Sequence, residues 1–237
     1  MTVLSRLRLI IETRTLDPST RAVVRDRLTY LSPSKLRRIH SALEETRGVE
    51  GDVIEFGVAL GGSGIIFAKN KGESRRFLGF DVFQMIPPPT SEKDDAKSKD
   101  RYQKIKSGTS KGIRGDKYYG YRDNLFAEVK DSFARHGVPA DGERITLYRG
   151  LFEETWPTVN VKSVALAHVD CDWYEPVRFC LQAVADKMTP GGIIIIDDYN
   201  DYGGCRTAVD EFLTERDDFQ FEVGPNPFLR KKRSDGN

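Results

Sequence analysis

Three aspartates follow the two most apolar stretches of the chain. Asp170 comes directly after the apolar run 163–169, and Asp197 and Asp198 follow the run 193–196. Such runs are typical of strands that a parallel sheet buries on both faces, and consecutive parallel strands usually lie near each other with their carboxyl ends at one edge. We therefore expect the three carboxylates to converge there. The alternative is that each acid only caps the helix that follows it.

A cluster of carboxylate oxygens indicates a particular kind of metal. Hard cations such as Mg²⁺ prefer oxygen ligands, whereas Zn²⁺ favours imidazole and thiolate. The nearest groups of the latter kind are His168 and Cys171, and Cys171 should point away from His168 and Asp170 because side chains alternate along a strand. The sequence thus predicts an Mg²⁺ site made by Asp170, Asp197 and Asp198.

A second group of residues surrounds a glycine turn. The segment Glu55-Phe-Gly57-Val-Ala-Leu-Gly61-Gly-Ser63 begins in the short apolar run 53–56. It predicts a strand, a turn and a helix with Ser63 as the N-cap, placed where open parallel sheets bind ligands. Its spacing differs from G-x-G-x-x-G, and a carboxylate at Glu55 favours a ligand with positive charge, such as S-adenosylmethionine with its ammonium and sulfonium groups. The alternative is a tight connection without a ligand.

Two later positions extend this ligand site. Asp81 ends the predicted strand 76–80 and lies where a Rossmann-like site binds ribose hydroxyls, with a solvated helix cap as the alternative. Gly150 follows the predicted strand 144–148 and would let the backbone approach a flat ring, with Phe152 packing beside it. The residues expected to bind S-adenosylmethionine are therefore Glu55, Gly57, Gly61, Ser63, Asp81, Gly150 and Phe152.

The elements that must position these residues alternate between strands and helices. This order predicts an α/β fold with a mostly parallel, Rossmann-like sheet and helices on both faces. Residues 51–237 form the predicted ligand-binding domain, and residues 1–50 a helical addition with one helix opened by Ser32-Pro33-Ser34. That addition should cap the sheet or form a dimer contact. Helices are also expected over 63–70, 124–136 and 204–216, and an antiparallel edge hairpin over 219–223 and 227–229.

A long polar stretch, residues 90–122, interrupts this pattern. Loops of such length in a compact domain are usually lids, binding loops or linkers. Its glycines, tyrosines and cations suit a flap that closes over a polar acceptor. We expect Lys111 and Arg114 to meet an anionic group, and the tyrosines at positions 118, 119 and 121 to offer flat faces to the substrate. A mobile linker without contacts is the alternative.

Composition excludes several classes of function. With 37 Lys and Arg against 36 Asp and Glu in 237 residues, no net field attracts nucleic acid or a membrane surface. No stretch approaches the roughly 18 apolar residues of a membrane span, and the three cysteines form no C-x-x-C pair. We therefore expect a reduced, cytoplasmic protein that acts on a small molecule. The tail 230–233 should be solvated charge, and His40 and His136 structural, the latter on the last carbonyls of its helix.

The ordered motifs of the chain resemble the macrocin O-methyltransferase family over about residues 32–230. The resemblance rests on the glycine turn from Glu55, on Phe80-Asp81-x-Phe83, on Gly150-x-Phe152-x-x-Thr155-x-Pro157, on His168-Val-Asp170-x-Asp172-x-Tyr174-Glu175-Pro176, and on Pro190-Gly-Gly192 through Asp197-Asp198-Tyr199. So many motifs in one order are far more specific than the glycine turn alone. Residues 91–121 depart from the family's pattern.

The resemblance implies a class I methyltransferase fold with a seven-stranded sheet, and methyl transfer from S-adenosylmethionine to a sugar hydroxyl. It also implies a divalent cation, usually Mg²⁺, on Asp170, Asp197 and Asp198, and we assign Asp170 a second role as general base. The expected partner is a small hydroxylated acceptor, and a homo-oligomer is expected. Two alternatives are a metal-dependent hydroxylase on the same fold, whose iron site usually needs two histidines, and a non-catalytic module that binds S-adenosylmethionine.

Overall fold

The structure, a computed structural model, describes residues 12–233, which form a sheet with helices on both faces. The strands are β1 (Asp52–Phe56), β2 (Phe77–Asp81), β3 (Ile145–Arg149), β4 (Val164–Val169), β5 (Met188–Ile196), β6 (Phe219–Glu222) and β7 (Phe228–Lys231). The helices are α1 (Pro18–Arg25), α2 (Pro33–Glu45), α3 (Gly62–Asn70), α4 (Ala96–Lys106), α5 (Leu125–Arg135), α6 (Phe152–Thr155), α7 (Tyr174–Ala185) and α8 (Gly203–Glu215). Among the described residues, no helix has the length and apolar character needed to cross a membrane.

Within residues 12–233 the sheet has seven strands, in the order β3-β2-β1-β4-β5-β7-β6. Strands β1 to β5 pair in parallel, and β7 runs antiparallel to both β5 and β6. The predicted mostly parallel, seven-stranded sheet with an antiparallel edge hairpin is therefore confirmed. The direction of winding reverses between β1 and β4, which leaves a crevice beyond their carboxyl ends, where α/β proteins of this kind bind ligands.

Side chains of successive sheet residues alternate between two apolar layers. Ile194 and Ile196 of β5 belong to one layer, and Ile193 and Ile195 to the other. Helices α7 and α8 cover the first layer, and α2, α3 and α5 cover the second. Burial on both faces explains why β4, except for His168, and the second half of β5 are apolar rather than alternating with polar residues.

The segment before β1 packs on the second of these layers. Asp17 caps α1, and Ser32 caps α2 at the position that the sequence predicted. Leu36 and Ile39 of α2 are fully buried in the same layer as α3. The described part of the helical addition is thus built into the core. The predicted helical signal at positions 4–10 lies outside the described residues.

Residues 90–122 contain a helix, α4, where the sequence predicted only a polar loop. Two aspartates just before the helix anchor it to the rest of the fold: Asp94 Oδ1 accepts a hydrogen bond from Tyr174 N at 2.9 Å, and Asp95 Oδ2 accepts one from Gly203 N at 3.0 Å. Asp95 is also the N-cap of α4. The helix escaped prediction because hydrogen bonds, rather than an apolar stripe, hold it in place.

Two predictions about charged residues are wrong. Arg230, expected in a solvated tail, lies in β7 and pairs with Glu45 at 2.6 Å and Glu222 at 2.9 Å. His136, expected on the last carbonyls of its helix, has its Nε2 3.1 Å from Asp26 Oδ2. Glu45 and Asp26 come from distant parts of the chain, which no local pattern indicates, whereas Glu222 lies in the neighbouring strand β6.

Candidate active site

A cavity of about 820 Å³ opens at the carboxyl ends of β1, β2, β4 and β5. This is the crevice expected where the strand order reverses, and its volume is within the range of small-molecule sites, roughly 300–1,000 Å³. The predicted site residues that line it are Gly57, Asp81, Phe152, Asp170, Asp197 and Asp198. Within residues 12–233, the residues that line the cavity do not include Glu55, Gly61, Ser63 or Gly150.

Asp170, Asp197 and Asp198 converge as predicted. One carboxylate oxygen from each lies within 4.8 Å of the others. Their approach follows from the register of the sheet, because Val169 of β4 pairs with Ile196 of β5 and the acids come directly after these two residues. A group of oxygen ligands at such separations fits a hard divalent cation better than Zn²⁺.

Burial and repulsion among the carboxylates disfavour the ionised state of this cluster unless a positive charge lies nearby. Asp197 and Asp198 are 4% and 5% exposed. Burial raises the pKa of Asp198 well above its usual value, and nearby carboxylates, Asp172 first, raise it further; burial and Asp197 do the same for Asp170. Asp197 Oδ1 is buried without a hydrogen-bond partner in residues 12–233. The residues present therefore fit a divalent cation.

Asp197 differs from its two neighbours because two cationic groups flank it. Lys35 Nζ lies 2.8 Å from Asp197 Oδ2, and His168 Nε2 lies 3.8 Å from Asp197 Oδ1. The second distance is too long for a hydrogen bond but short enough for attraction between charges. Burial alone would raise the pKa of Asp197, yet His168 and Lys35 hold it below its usual value. Asp197 is thus the most readily ionised member of the cluster.

Glu55 lies beneath the cavity, which corrects the prediction that it contacts a charged ligand. Its side chain is fully buried, and Oε1 lies 3.0 Å from His168 Nδ1. Burial would lower the pKa of His168, but Asp197 and Glu55 raise it to about 10, so that the imidazole is charged at neutral pH. The motif around Glu55 could not show this, because the contact depends on the pairing of β1 with β4.

A two-histidine iron site, which the hydroxylase alternative needs, is not formed. The chain has three histidines, all of them among the described residues. His40 Nε2 lies 2.7 Å from Thr20 Oγ1, which confirms its structural role, and His136 lies beside Asp26. Only His168 is near the carboxylates, and its Nδ1 faces Glu55.

Gly57 brings the ends of β1 and β4 together. Its φ of 92° is unfavourable for a residue with a side chain, and a Cβ at this position would lie 1.8 Å from Asp170 O. Gly61, with a φ of 90°, is itself the N-cap of α3. Ser63, predicted as the N-cap, therefore lies in the first turn of that helix and is buried.

The carboxylate of Asp81 lines the cavity but is also engaged by the backbone. Oδ2 accepts hydrogen bonds from Val58 N at 2.8 Å and Ala59 N at 2.9 Å, and Oδ1 accepts one from Phe83 N. Burial raises the pKa of Asp81, and the three amides oppose this rise. Asp81 therefore orders the turn after β1 as well as its own turn.

The turn after β3 differs in part from the prediction. Phe152 lines the cavity, and its ring stands edge to face with Phe56 at 5.3 Å between centroids. Gly150 has a φ of 148°, and a Cβ there would meet Thr155 Cγ2 at 2.9 Å. The close approach that the structure shows at this glycine is to a neighbouring threonine.

Residues 90–122 supply side chains to the cavity, but not the cations that the sequence predicted. The cations of this segment that line it are Lys97 and Arg101 of α4, rather than Lys111 and Arg114. The predicted aromatic wall is present in part, because Tyr121 lies outside it. The aromatic residues that line the cavity besides Phe152 are Tyr30, Tyr118, Tyr119, Trp173 and Tyr202.

Asp172 is one of the residues of this site to which sequence reasoning gave no role. It lines the cavity outside the group of three carboxylates, with a φ of 62°. Burial raises its pKa to about 6, against the lowering effect of the Arg101 charge. The spacing Asp170-x-Asp172 just beyond a strand was the available signal.

The fold and the site define a class of protein. The structure matches that of the O-methyltransferase NovP with a TM-score of 0.71 at 24% identity, over 87% of this chain and 83% of that one, which places it in the Rossmann-like methyltransferase fold. The family model described as Macrocin-O-methyltransferase (TylF) matches residues 5–218. The chain belongs to this family.

Two similar proteins have named activities. An 8-demethyl-8-(2,3-dimethoxy-alpha-L-rhamnosyl)-tetracenomycin-C 4'-O-methyltransferase of Streptomyces olivaceus is 28% identical over 169 residues, 70% of this chain and 59% of that protein. A mycinamicin III 3''-O-methyltransferase of Micromonospora griseorubida is 31% identical over 182 residues, 73% of this chain and 64% of that protein. The match thus spans less than two thirds of the length of either relative.

Proposed function

We propose that the protein transfers a methyl group from S-adenosylmethionine to a hydroxyl of a sugar in a small molecule, with Mg²⁺ held by the three carboxylates. The observation that carries this proposal is the packing of Gly57 against Asp170 O in the wall of one cavity. Methyl transfer requires donor and acceptor to be aligned in one site, and this contact joins the two predicted subsites. Membership in the macrocin O-methyltransferase family supports the class of reaction.

The names of the two relatives support a sugar acceptor, because one acts on a rhamnosyl tetracenomycin and the other on mycinamicin III. The cavity offers flat apolar faces for such a ring. Trp173 and Tyr202 stand edge to face with centroids 5.3 Å apart, and both follow closely on the acidic strand ends. We therefore assign the acceptor to the part of the cavity between these rings and the segment 90–122.

The methyl donor is assigned to the part of the cavity beyond β1 and β2. Gly57, Asp81 and Phe152 line this part and are our candidates for direct contact. The remaining residues predicted for S-adenosylmethionine would act indirectly, by shaping the turns or the core beneath them. Those residues are Glu55, Gly61, Ser63 and Gly150.

The metal is assigned to Asp170, Asp197 and Asp198. The unpaired, buried Oδ1 of Asp197 and the all-oxygen donor set support a hard cation at this position, among the residues that the structure describes. When bound, Mg²⁺ would supply Lewis-acid polarisation of the acceptor hydroxyl. The three carboxylates would hold it at the edge of the cavity next to Gly57.

Methylation of a hydroxyl also requires a group that accepts its proton. Asp170 would have to combine this role with that of a metal ligand, and ligation lowers the basicity of a carboxylate. Asp172 lines the same cavity two residues beyond Asp170, but it is not one of the three carboxylates that approach each other. We therefore propose Asp172 as the proton acceptor, with Asp170 kept as a ligand.

Two measurements test this function. Calorimetry with S-adenosylhomocysteine tests the donor site, and a methylation assay on glycosylated acceptors, with Mg²⁺ or with EDTA, tests the reaction. We expect binding in the first and metal-dependent turnover in the second. No binding at millimolar ligand would contradict the proposal, whereas binding without turnover on any glycosylated acceptor would favour a non-catalytic module.

We also propose a homo-oligomer, which a monomeric mass by light scattering would refute.

A further inference from the structure

Lys35 lies beside the acidic cluster although it comes from the helical segment before β1. Its Nζ is 2.8 Å from Asp197 Oδ2, 2.9 Å from Asp197 O and 3.0 Å from Asp201 Oδ2. The side chain is only 16% exposed. An ammonium group has three hydrogens, so these three acceptors use all of its donor capacity. Lys35 is therefore a fixed internal cation. It has no hydrogen left to donate to the molecule that accepts the methyl group.

The two oxygens of Asp197 have different surroundings. Lys35 occupies Oδ2, whereas Oδ1 has no hydrogen-bond partner in the described part of the chain. A metal held through Oδ1 would share this carboxylate with the ammonium group. Two cations on one buried carboxylate repel each other, and water screens such a repulsion poorly.

A second lysine in the cavity wall provides a comparison. Lys97 donates to Asp201 O, a backbone carbonyl, and lies 5.0 Å from the centre of the Tyr202 ring. It makes no contact with a carboxylate of the metal group within the described residues. Lys35 and Lys97 thus carry the same charge in the same cavity, but only Lys35 is bonded to a proposed metal ligand.

We infer that Lys35 is an internal counter-cation of the metal site, acting on Asp197 Oδ2 while His168 lies on the Oδ1 side. It neutralises part of the carboxylate charge when no metal is bound, and it weakens the affinity for a divalent cation when one binds. This inference rests on the proposed metal site. It also links that site to α2, because the same ammonium holds this helix against Asp197.

Titration calorimetry with MgCl₂ alone, on protein freed of metal with EDTA, tests the inference without relying on activity. We expect Lys35→Met to bind Mg²⁺ roughly tenfold or more tightly than the wild type, because one repelling charge is lost. Lys35→Arg keeps the charge and should stay within about threefold of the wild type. Lys97→Met is the matched control and should leave Mg²⁺ affinity unchanged.

Thermal unfolding provides a second readout. Without metal, Lys35→Met should unfold at a lower temperature than the wild type, because the carboxylates lose their counter-charge. Added Mg²⁺ should then raise its unfolding temperature by more than it raises that of the wild type, since tighter binding stabilises the folded state more. If Lys35→Met fails to fold, Lys35→Gln removes the same charge and keeps a hydrogen-bond donor near Asp197.

The outcomes separate this inference from the proposed function. Equal or weaker Mg²⁺ binding by folded Lys35→Met would overturn the inference and leave Lys35 as a residue that only orients Asp197. Tighter binding by Lys35→Arg to the same degree would also overturn it, because the charge is retained. Absence of Mg²⁺ binding in the wild type and all variants would refute the metal site itself, and with it the role of Lys35.

Discussion

The backbone carbonyl of Asp170 occupies the space into which a side chain on Gly57 would project. A Cβ at position 57 would lie 1.8 Å from Asp170 O, so only glycine fits between the ends of β1 and β4. This contact ties the turn proposed for the methyl donor to the first of the proposed metal ligands. A change on one side is therefore expected to disturb the other.

Gly57→Ala should destabilise the fold and abolish measurable binding of S-adenosylhomocysteine. The residue has a φ of 92°, which costs a residue with a side chain about 1–2 kcal/mol, and the new methyl group overlaps Asp170 O. Gly72→Ala is the matched control, since Gly72 has a φ of 83° but no described atom within 4 Å of a Cβ. In the control, urea unfolding should show only the cost of the positive φ, and calorimetry should show unchanged binding of S-adenosylhomocysteine. Equal effects in both variants would argue against a role for the contact between Gly57 and Asp170 O.

Asp197→Asn and Asp81→Ala should affect different ligands. Asp197→Asn removes a charge from the metal group, so Mg²⁺-stimulated activity should disappear while S-adenosylhomocysteine still binds. Asp81→Ala removes the acceptor for the amides of Val58 and Ala59, and should weaken S-adenosylhomocysteine roughly tenfold or more. Calorimetry with each ligand distinguishes the two effects. Equal loss of S-adenosylhomocysteine affinity in both variants would show that the two subsites are not separate.

Asp170→Asn and Asp172→Asn should separate the ligand from the proton acceptor. Asp170→Asn should lose Mg²⁺ binding together with activity, because it belongs to the group of three carboxylates. Asp172→Asn removes a nearby negative charge and should weaken Mg²⁺ binding less than Asp170→Asn does, whereas at saturating Mg²⁺ it should lower kcat by roughly 10²–10⁴, the usual contribution of a general base. Full activity in Asp172→Asn with normal metal binding would return the base role to Asp170.

Residues 90–122 should become protected from amide exchange when S-adenosylhomocysteine and a sugar acceptor are both present. Lys97, Arg101 and Tyr118 of this segment line the cavity, so closure over a bound acceptor would slow exchange there. Strand β4 is buried and provides an internal control whose exchange should not change. Unchanged exchange in 90–122 alongside turnover would mean that other residues select the acceptor.

Asp17 should stabilise the fold at neutral pH and lose this effect in acid. Burial would raise its pKa, but hydrogen bonds from Ser19 and Thr20 lower it from 3.8 to about 2. A carboxyl group whose pKa falls on folding stabilises the folded state above its unfolded pKa and stops doing so as the pH drops to its folded pKa. The side chain is 37% exposed, so we expect only about 1 kcal/mol.

Urea unfolding of the wild type and Asp17→Asn, between about pH 5 and pH 2, measures this contribution. The asparagine still caps α1 but does not titrate, so the wild type should lose more stability than the variant over this range. Parallel losses in the two proteins would show that Asp17 contributes no pH-dependent stability.

The sheet and the acidic cluster could be predicted from the sequence for one reason. Continuous apolar runs mark the strands that are buried on both faces, as β4 and the end of β5 are. The acids that end such strands in a parallel sheet then come to one edge, whatever their neighbours are. Asp170, Asp197 and Asp198 needed no knowledge of side-chain packing to be brought together.

Glu55 and Ser63 show where local patterns stop being informative. The sequence predicts the glycine turn, but α3 starts at Gly62 rather than after Ser63, and this difference of two residues turns a capping side chain into a buried one. Whether Glu55 faces the ligand or the core depends on His168, which reaches it through the pairing of β1 with β4.

Lys35 and α4 depended entirely on the tertiary structure. Lys35 is an unremarkable lysine of an amphipathic helix in the sequence, and Asp197 lies 162 positions further on. Helix α4 has few apolar residues and is anchored through Asp94 and Asp95 to the starts of α7 and α8. Periodicity and composition report which faces of an element are buried, but a contact between distant side chains exists only after packing has brought their elements together.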